Sequence, residues 1–113
     1  MHILVVDDEH EICILLRKIL CDEGHDVTIS GTVHNCRSLL DRKFDVVLLD
    51  QKLPDGKGNE LIPGIRAANP DVLIIIISAI NTPEEITEAK ELGADLFVDK
   101  PFRSSEILSA LPG

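Results

Sequence analysis

Short apolar runs alternate along this chain with stretches of helical period, and that rhythm is the signature of βα units building one parallel sheet. Ile3, Leu4, Val5 and Val6 make the first run. The apolar residues that follow, Ile12, Leu15, Leu16, Ile19 and Leu20, are spaced as one face of a helix, which Gly24 stops. Residues 26–30 then alternate polar with β-branched side chains, as a half-exposed edge strand should. A weaker second helix is predicted over 33–41, with Val33, Cys36, Leu39 and Leu40 inward. Residues 46–49 and 72–77 are wholly apolar, which predicts central strands covered on both faces. Between them, Pro54, Asp55, Gly56 and Gly58 mark a turn. A helix over 59–68 follows it, with Leu61, Ile62 and Ile65 inward and Pro63 early, where a missing N–H costs least. Thr82-Pro83-Glu84-Glu85 opens a fourth helix: the threonine caps it, the proline suits the first turn, and the acids favour the positive end of the dipole. Gly93 closes that helix, Leu96, Phe97 and Val98 form a fifth strand, and Ser104 or Ser105 caps a last helix over 105–111.

Five such units use the whole 113-residue length, so a single α/β domain over residues 1–113 is predicted. Charge narrows the functional classes. Lys and Arg number 11 against 20 Asp and Glu, giving a net charge of −9, and an acid-rich surface repels phosphate backbones and anionic membranes. Direct nucleic-acid binding and membrane association are therefore not expected. The longest apolar run falls far below the ~20 residues that cross a bilayer, and Met1 leads into the first run without a basic signal region. A cytoplasmic protein is the expectation. Three cysteines, an odd number without a Cys-x-x-Cys pair, point to reduced thiols. Cys13, Cys21 and Cys36 are expected as small buried hydrophobes. His2, His10, His25 and His34 lack metal-ligand spacing and read as surface or helix-face residues.

In an open parallel sheet the ligand crevice lies beyond the carboxyl ends of the strands, which fixes where chemistry should be sought. Asp7, Asp8 and Glu9 follow the first strand, Asp50 the third, Ser78 and Ala79 the fourth, and Lys100-Pro101 the fifth. Each has a plain structural alternative. Asp8 with Glu11 fits a capping box, Asp50 a turn former, Ser78 a strand terminator, and Lys100 an edge-strand charge. Together they converge three carboxylates and one lysine on a single sheet edge. Such a cluster of Asp7, Asp8 and Asp50 needs a counter-ion, and oxygen-only, partly hydrated ligation suits Mg²⁺ better than zinc. A metal there, with Lys100 opposite, would neutralise a phosphoryl group arriving at Asp50, the candidate nucleophile. The Ser78 hydroxyl lies where it could donate to a phosphoryl oxygen, and the small Ala79 leaves the approach open.

At these residues the chain resembles the receiver domain of two-component response regulators, the chemotaxis regulators among them. Val5-Val6-Asp7-Asp8-Glu9, Leu48-Leu49-Asp50 with Leu53-Pro54-Asp55-Gly56, Ser78-Ala79, Gly93-Ala94-Asp95 and Lys100-Pro101-Phe102 carry the resemblance over almost the whole length. It implies a doubly wound, flavodoxin-like three-layer sandwich with strand order 2-1-3-4-5. It also implies roles. Asp50 would accept phosphate from a sensor histidine kinase or phosphotransfer protein, and Asp8, Asp50 and the Lys52 backbone carbonyl would ligate Mg²⁺. Asp7 would act mostly through metal-bound water, and Lys100, ahead of a cis Lys100-Pro101 bond, would pair with the phosphoryl group. On phosphorylation Ser78 would move toward the phosphate and Phe97 would rotate inward. That change would remodel the fourth helix, fifth strand and fifth helix, a face for homodimerisation or for a downstream output domain or protein. Where many relatives carry Tyr, Phe97 has no hydroxyl, so burial and packing alone would drive its switch. Lys57 departs from the family by placing a positive charge beside the site, and the last helix is short. A stand-alone receiver and a domain of a longer regulator both fit, with no enzymatic activity beyond self-phosphorylation and its hydrolysis.

Rival readings are weighed on the same residues. A flavodoxin-like cofactor module shares the fold, yet Asp7-Asp8-Glu9-His10 repels phosphate unless metal is present. A haloacid-dehalogenase-like phosphatase needs Asp-x-Asp, which Asp50-Gln51-Lys52 lacks, and Gly56-Lys57-Gly58 is only a fragment of a dinucleotide fingerprint. A degenerate receiver working through phosphorylation-independent protein interaction is the weaker alternative, because the acids are intact.

Overall fold

The computed structural model describes residues 1–112, so Gly113, the last residue of the expected domain, lies outside the described residues. Five long parallel strands form the sheet: β1 His2–Val6, β2 Asp26–Ser30, β3 Val46–Asp50, β6 Leu73–Ser78 and β7 Leu96–Asp99. Their order is β2-β1-β3-β6-β7, which is 2-1-3-4-5 among the long strands, as the resemblance implies. Two-residue strands β4 Lys52–Leu53 and β5 Gly56–Lys57 pair antiparallel, where the sequence predicts only a turn. The helices are α1 His10–Asp22, α2 Val33–Ser38, α3 Ile62–Ala68, α4 Pro83–Leu92 and α5 Ser104–Ala110.

Strand alternation builds two cores, one on each face of the sheet. Leu4, Val6, Val47, Leu49, Ile74 and Ile76 pack with Val33, Ile62, Ile65 and Ala89 from α2, α3 and α4. Ile3, Val5, Val46, Leu48, Ile75 and Ile77 pack with Leu16, Leu20 and Ile107 from α1 and α5. β3 is buried along its whole length, and β2 sits half-exposed at the edge. The result is the three-layer, flavodoxin-like α/β architecture.

Several expectations need correction. Leu15 is 42% exposed, not inward. At 3.6 residues per turn it lies about 100° from Leu16, the centre of the buried face, and Cys13 takes its place. Cys13 and Cys36 are buried, but Cys21 is exposed near the end of α1. The second helix stops at Ser38, three residues early, and Leu39 and Leu40 still pack on the core from a turn. The helix expected over 59–68 begins as a 3₁₀ turn, Gly58–Leu61, and becomes α-helical only at Ile62. Proline explains this break: Pro63 has no N–H for the Asn59 carbonyl, so Ile62 donates to it one residue earlier. The last helix is capped not by a serine but at Arg103, whose N–H donates to Glu106 at 2.9 Å. No Asp8–Glu11 capping box forms, because α1 starts at His10 behind Glu9 and leaves Asp8 exposed.

Far from the strand ends that carry the acids, Arg66 ties two loops together. Its guanidinium donates to the carbonyls of Val72 and Gly93, both at 2.6 Å, and to Asp95 at 2.8 Å. Gly93 holds φ +119°, the left-handed cap that ends α4.

Candidate functional site

The parallel strands end together, so the residues that follow them meet along one edge. Asp7, Asp50 and Ser78 are buried there, each at most 5% exposed. The Lys100 ammonium reaches the Asp7 carboxylate at 2.8 Å, Glu9 at 3.0 Å and Asp50 at 3.3 Å. An ammonium has three hydrogens, and three carboxylates accept them. The Lys100-Pro101 bond is cis, as expected. The loop amides hold the acids in place. Glu9 N–H donates to Asp7 Oδ1 at 2.8 Å, Lys52 N–H to Asp50 Oδ1 at 3.3 Å, and the Cys13 thiol to the Asp7 carbonyl at 3.2 Å.

Burial and the neighbouring Asp7 carboxylate push the Asp50 carboxyl above its ordinary range, against the opposing pull of Lys100. Burial alone would depress the Lys100 ammonium, but hydrogen bonds to Asp7 and Glu9 and the charge of Asp50 outweigh it and hold the group charged. One oxygen from each of Asp7, Asp8, Glu9 and Asp50 lies within 4.8 Å of the others. A set of hard carboxylate oxygens, only two of them buried, fits a partly hydrated Mg²⁺ or Ca²⁺ and not a soft metal. A divalent cation would relieve the repulsion that raises Asp50.

Asp7, Asp8, Asp50 and Lys100 are thus brought together as the sequence predicts. Ser78 and Lys52 line the same groove, of about 470 Å³. The Ser78 hydroxyl, however, is engaged with its own loop: it donates to the Ile80 carbonyl at 2.8 Å and accepts from Ile80 N–H at 3.2 Å. Phe97 stands apart from the groove, half-buried on β7 against the α4-side core, with the Lys90 ammonium 5.9 Å from its ring centre. Lys57 lines the groove, as do Glu85 and Glu88 of α4.

Four participants escape the sequence reading. Glu9 is given no role there, yet it shares Lys100; the third acid in Asp7-Asp8-Glu9 is the available signal. Gln51 and Asn59 clasp each other, Gln51 Nε2 donating to Asn59 Oδ1 and Asn59 N–H to Gln51 Oε1. They lie eight positions apart across a tight hairpin, and no periodicity pairs positions across a turn. Asp55 is a further surprise: its carboxylate accepts from Val33 N–H at 2.7 Å and His34 N–H at 2.9 Å, capping α2 from the loop after Asp50. These bonds hold the Asp55 carboxyl below the usual carboxylate range.

Comparison with known proteins converges on one family. The response regulator receiver domain matches residues 3–112. A DNA-binding transcriptional regulator, NtrC of Azospirillum brasilense, is 36% identical over 110 residues, 96% of this chain and 23% of the relative. The transcriptional regulatory protein CusR of Escherichia coli (strain K12) is 33% identical, covering 96% of this chain and 48% of the relative. The chain therefore spans from under a quarter to about half of the length of these relatives. Among solved structures, a CheY-like receiver domain protein of Methanospirillum hungatei matches with TM-score 0.91 and 29% identity, over 96% of this chain and 87% of that one. A response regulator of Burkholderia pseudomallei, with a phosphorylated aspartic acid, calcium ion and citrate, matches at TM-score 0.93 and 26% identity, over 98% and 66%.

Proposed function

Because this chain belongs to the response regulator receiver domain family of two-component systems, we propose that it is a phosphorylatable switch whose acceptor is Asp50. The phosphodonor would be the histidine of a sensor kinase or phosphotransfer protein. An Asp50 carboxylate oxygen bonds to phosphorus as the donor's P–N bond breaks, the electron pair leaving with the imidazole. Asp8, Asp50 and the Lys52 carbonyl would hold Mg²⁺, with Asp7 acting through bound water. The cation supplies charge neutralisation at the equatorial oxygens. Lys100 stabilises the same oxygens from the other side and reports the new charge to β7. Ser78 gives up Ile80 to donate to the phosphoryl group, and Phe97 moves further into the α4-side core. The α4–β7–α5 face then meets a second copy or an output domain or protein. Such a switch works in the cytoplasm and catalyses only its own phosphorylation and hydrolysis. Among the described residues no helix is long and apolar enough to cross a membrane.

The observation that carries this reading is the Lys100 ammonium, its side chain only 9% exposed, shared among Asp50, Asp7 and Glu9. Incubation with a small phosphodonor and Mg²⁺, read by intact mass, tests it. Wild type should gain one phosphoryl mass and Asp50→Ala none. No gain on wild type, the behaviour of a degenerate receiver or a cofactor module, refutes the assignment, as does an undiminished gain in the variant.

A further inference from the structure

A backbone ligand has no side-chain torsions of its own. The direction of the Lys52 carbonyl is set by whatever anchors the chain on either side of it. Three hydrogen bonds at Gln51, two accepted and one donated, provide that anchoring. Gly58 N–H donates to the Gln51 carbonyl at 2.9 Å, Asn59 N–H donates to Gln51 Oε1 at 3.0 Å, and Gln51 Nε2 donates to Asn59 Oδ1. They close residues 51–59 into a ring, inside which Lys52–Leu53 pairs with Gly56–Lys57. The ring presses on the acceptor itself, since a Cβ at Gly58 would collide with the Asp50 carbonyl.

Asn59 is only 5% exposed and is followed by buried Leu61 and Ile62. A buried amide is unfavourable unless its hydrogen bonds are made, and a leucine of similar shape would fill the space without that cost. Its polar group is spent on Gln51, the residue that joins Asp50 to Lys52, and both amides line the groove.

Resting on the reading of Asp8, Asp50 and the Lys52 carbonyl as Mg²⁺ ligands, we propose that Gln51 and Asn59 form a brace that aims this carbonyl at the cation. Both are positioning residues, acting through Lys52. Partners of this kind, one step removed from the metal, typically change affinity by at least tenfold.

The test is Mg²⁺ titration of the full chain by calorimetry, well below the melting temperature, with metal-free melting recorded separately. Asn59→Leu should bind Mg²⁺ about tenfold more weakly, and its phosphorylation deficit should narrow as Mg²⁺ is raised. Asn59→Asp keeps the acceptor and should bind no more weakly than wild type. Gln51→Met, at a half-buried surface position, repeats the measurement should Asn59→Leu fail to fold. Variants that melt lower yet bind Mg²⁺ as tightly as wild type overturn the brace and leave the receiver reading standing. Failure of wild type itself to bind Mg²⁺ removes both.

Discussion

Replacing Asp50 by Asn should stabilise the metal-free protein, although it removes the proposed acceptor. At no more than 4.8 Å from Asp7, an ionised Asp50 is repelled by about 3.5 kcal/mol or more at an effective dielectric near 20. Asp8 and Glu9 are exposed, so water screens their repulsion to about 1 kcal/mol each at the same separation. Lys100 at 3.3 Å returns about 5 kcal/mol. Attraction and repulsion nearly cancel, and the burial of the carboxylate decides the sign. A neutral amide should therefore gain about 1 kcal/mol, or about 4–6 °C in melting temperature for a chain of this length. Thermal melts of wild type and Asp50→Asn, in EDTA and then in saturating Mg²⁺, measure it. The gain should appear in EDTA and vanish with Mg²⁺, because the cation stabilises the wild-type acids by binding them. A variant that melts at or below wild type in EDTA refutes the reasoning.

The same burial sets a pH dependence. Because the folded Asp50 pKa lies above its ordinary 3.8, the folded chain binds more protons than the unfolded one between the two values. Wild-type stability in EDTA should therefore fall, relative to Asp50→Asn, as pH rises from near 3.8 through the folded pKa, and the difference should level off above it. A flat difference contradicts the raised pKa. Lys100→Ala strands two buried carboxylates and should destabilise the metal-free protein by about 3–5 kcal/mol, measured by urea unfolding. With Mg²⁺ present it should still bind metal but uncouple phosphorylation from chemical-shift changes around Phe97; equal shifts in variant and wild type contradict that. Arg66→Ala breaks four hydrogen bonds to the 70–72 and 93–95 loops and should cost about 2–3 kcal/mol. It should leave Mg²⁺ affinity unchanged, since these loops lie at the opposite ends of the strands; a loss of affinity contradicts that separation.

The strands were readable because a strand buried on both faces needs an unbroken apolar run, and residues 46–49 and 72–77 supply it. Asp7, Asp8, Asp50 and Lys100 were readable because parallel topology forces strand ends together whatever lies between them. What escaped depends on geometry that period alone does not carry. Leu15 fits the apolar spacing of α1, but Cys13 occupies the arc that closes on the sheet. The break at Gly58–Leu61 follows from one missing N–H at Pro63. The Gln51–Asn59 clasp and the reach of Asp55 to Val33 join positions that only the folded loop makes neighbours.

A hydroxyl has a single proton to give, and in Ser78 it is given to Ile80 across a loop of two residues. Turning to an arriving oxyanion would give up both bonds to Ile80, the one donated and the one accepted, for a single charge-assisted bond. A bond to a charged acceptor is stronger than one to a carbonyl, so only charge placed at Asp50 would offset that loss. On the proposed function, the tight local ring at Ser78 would act as a latch: shut while Asp50 is bare and opened by charge arriving there.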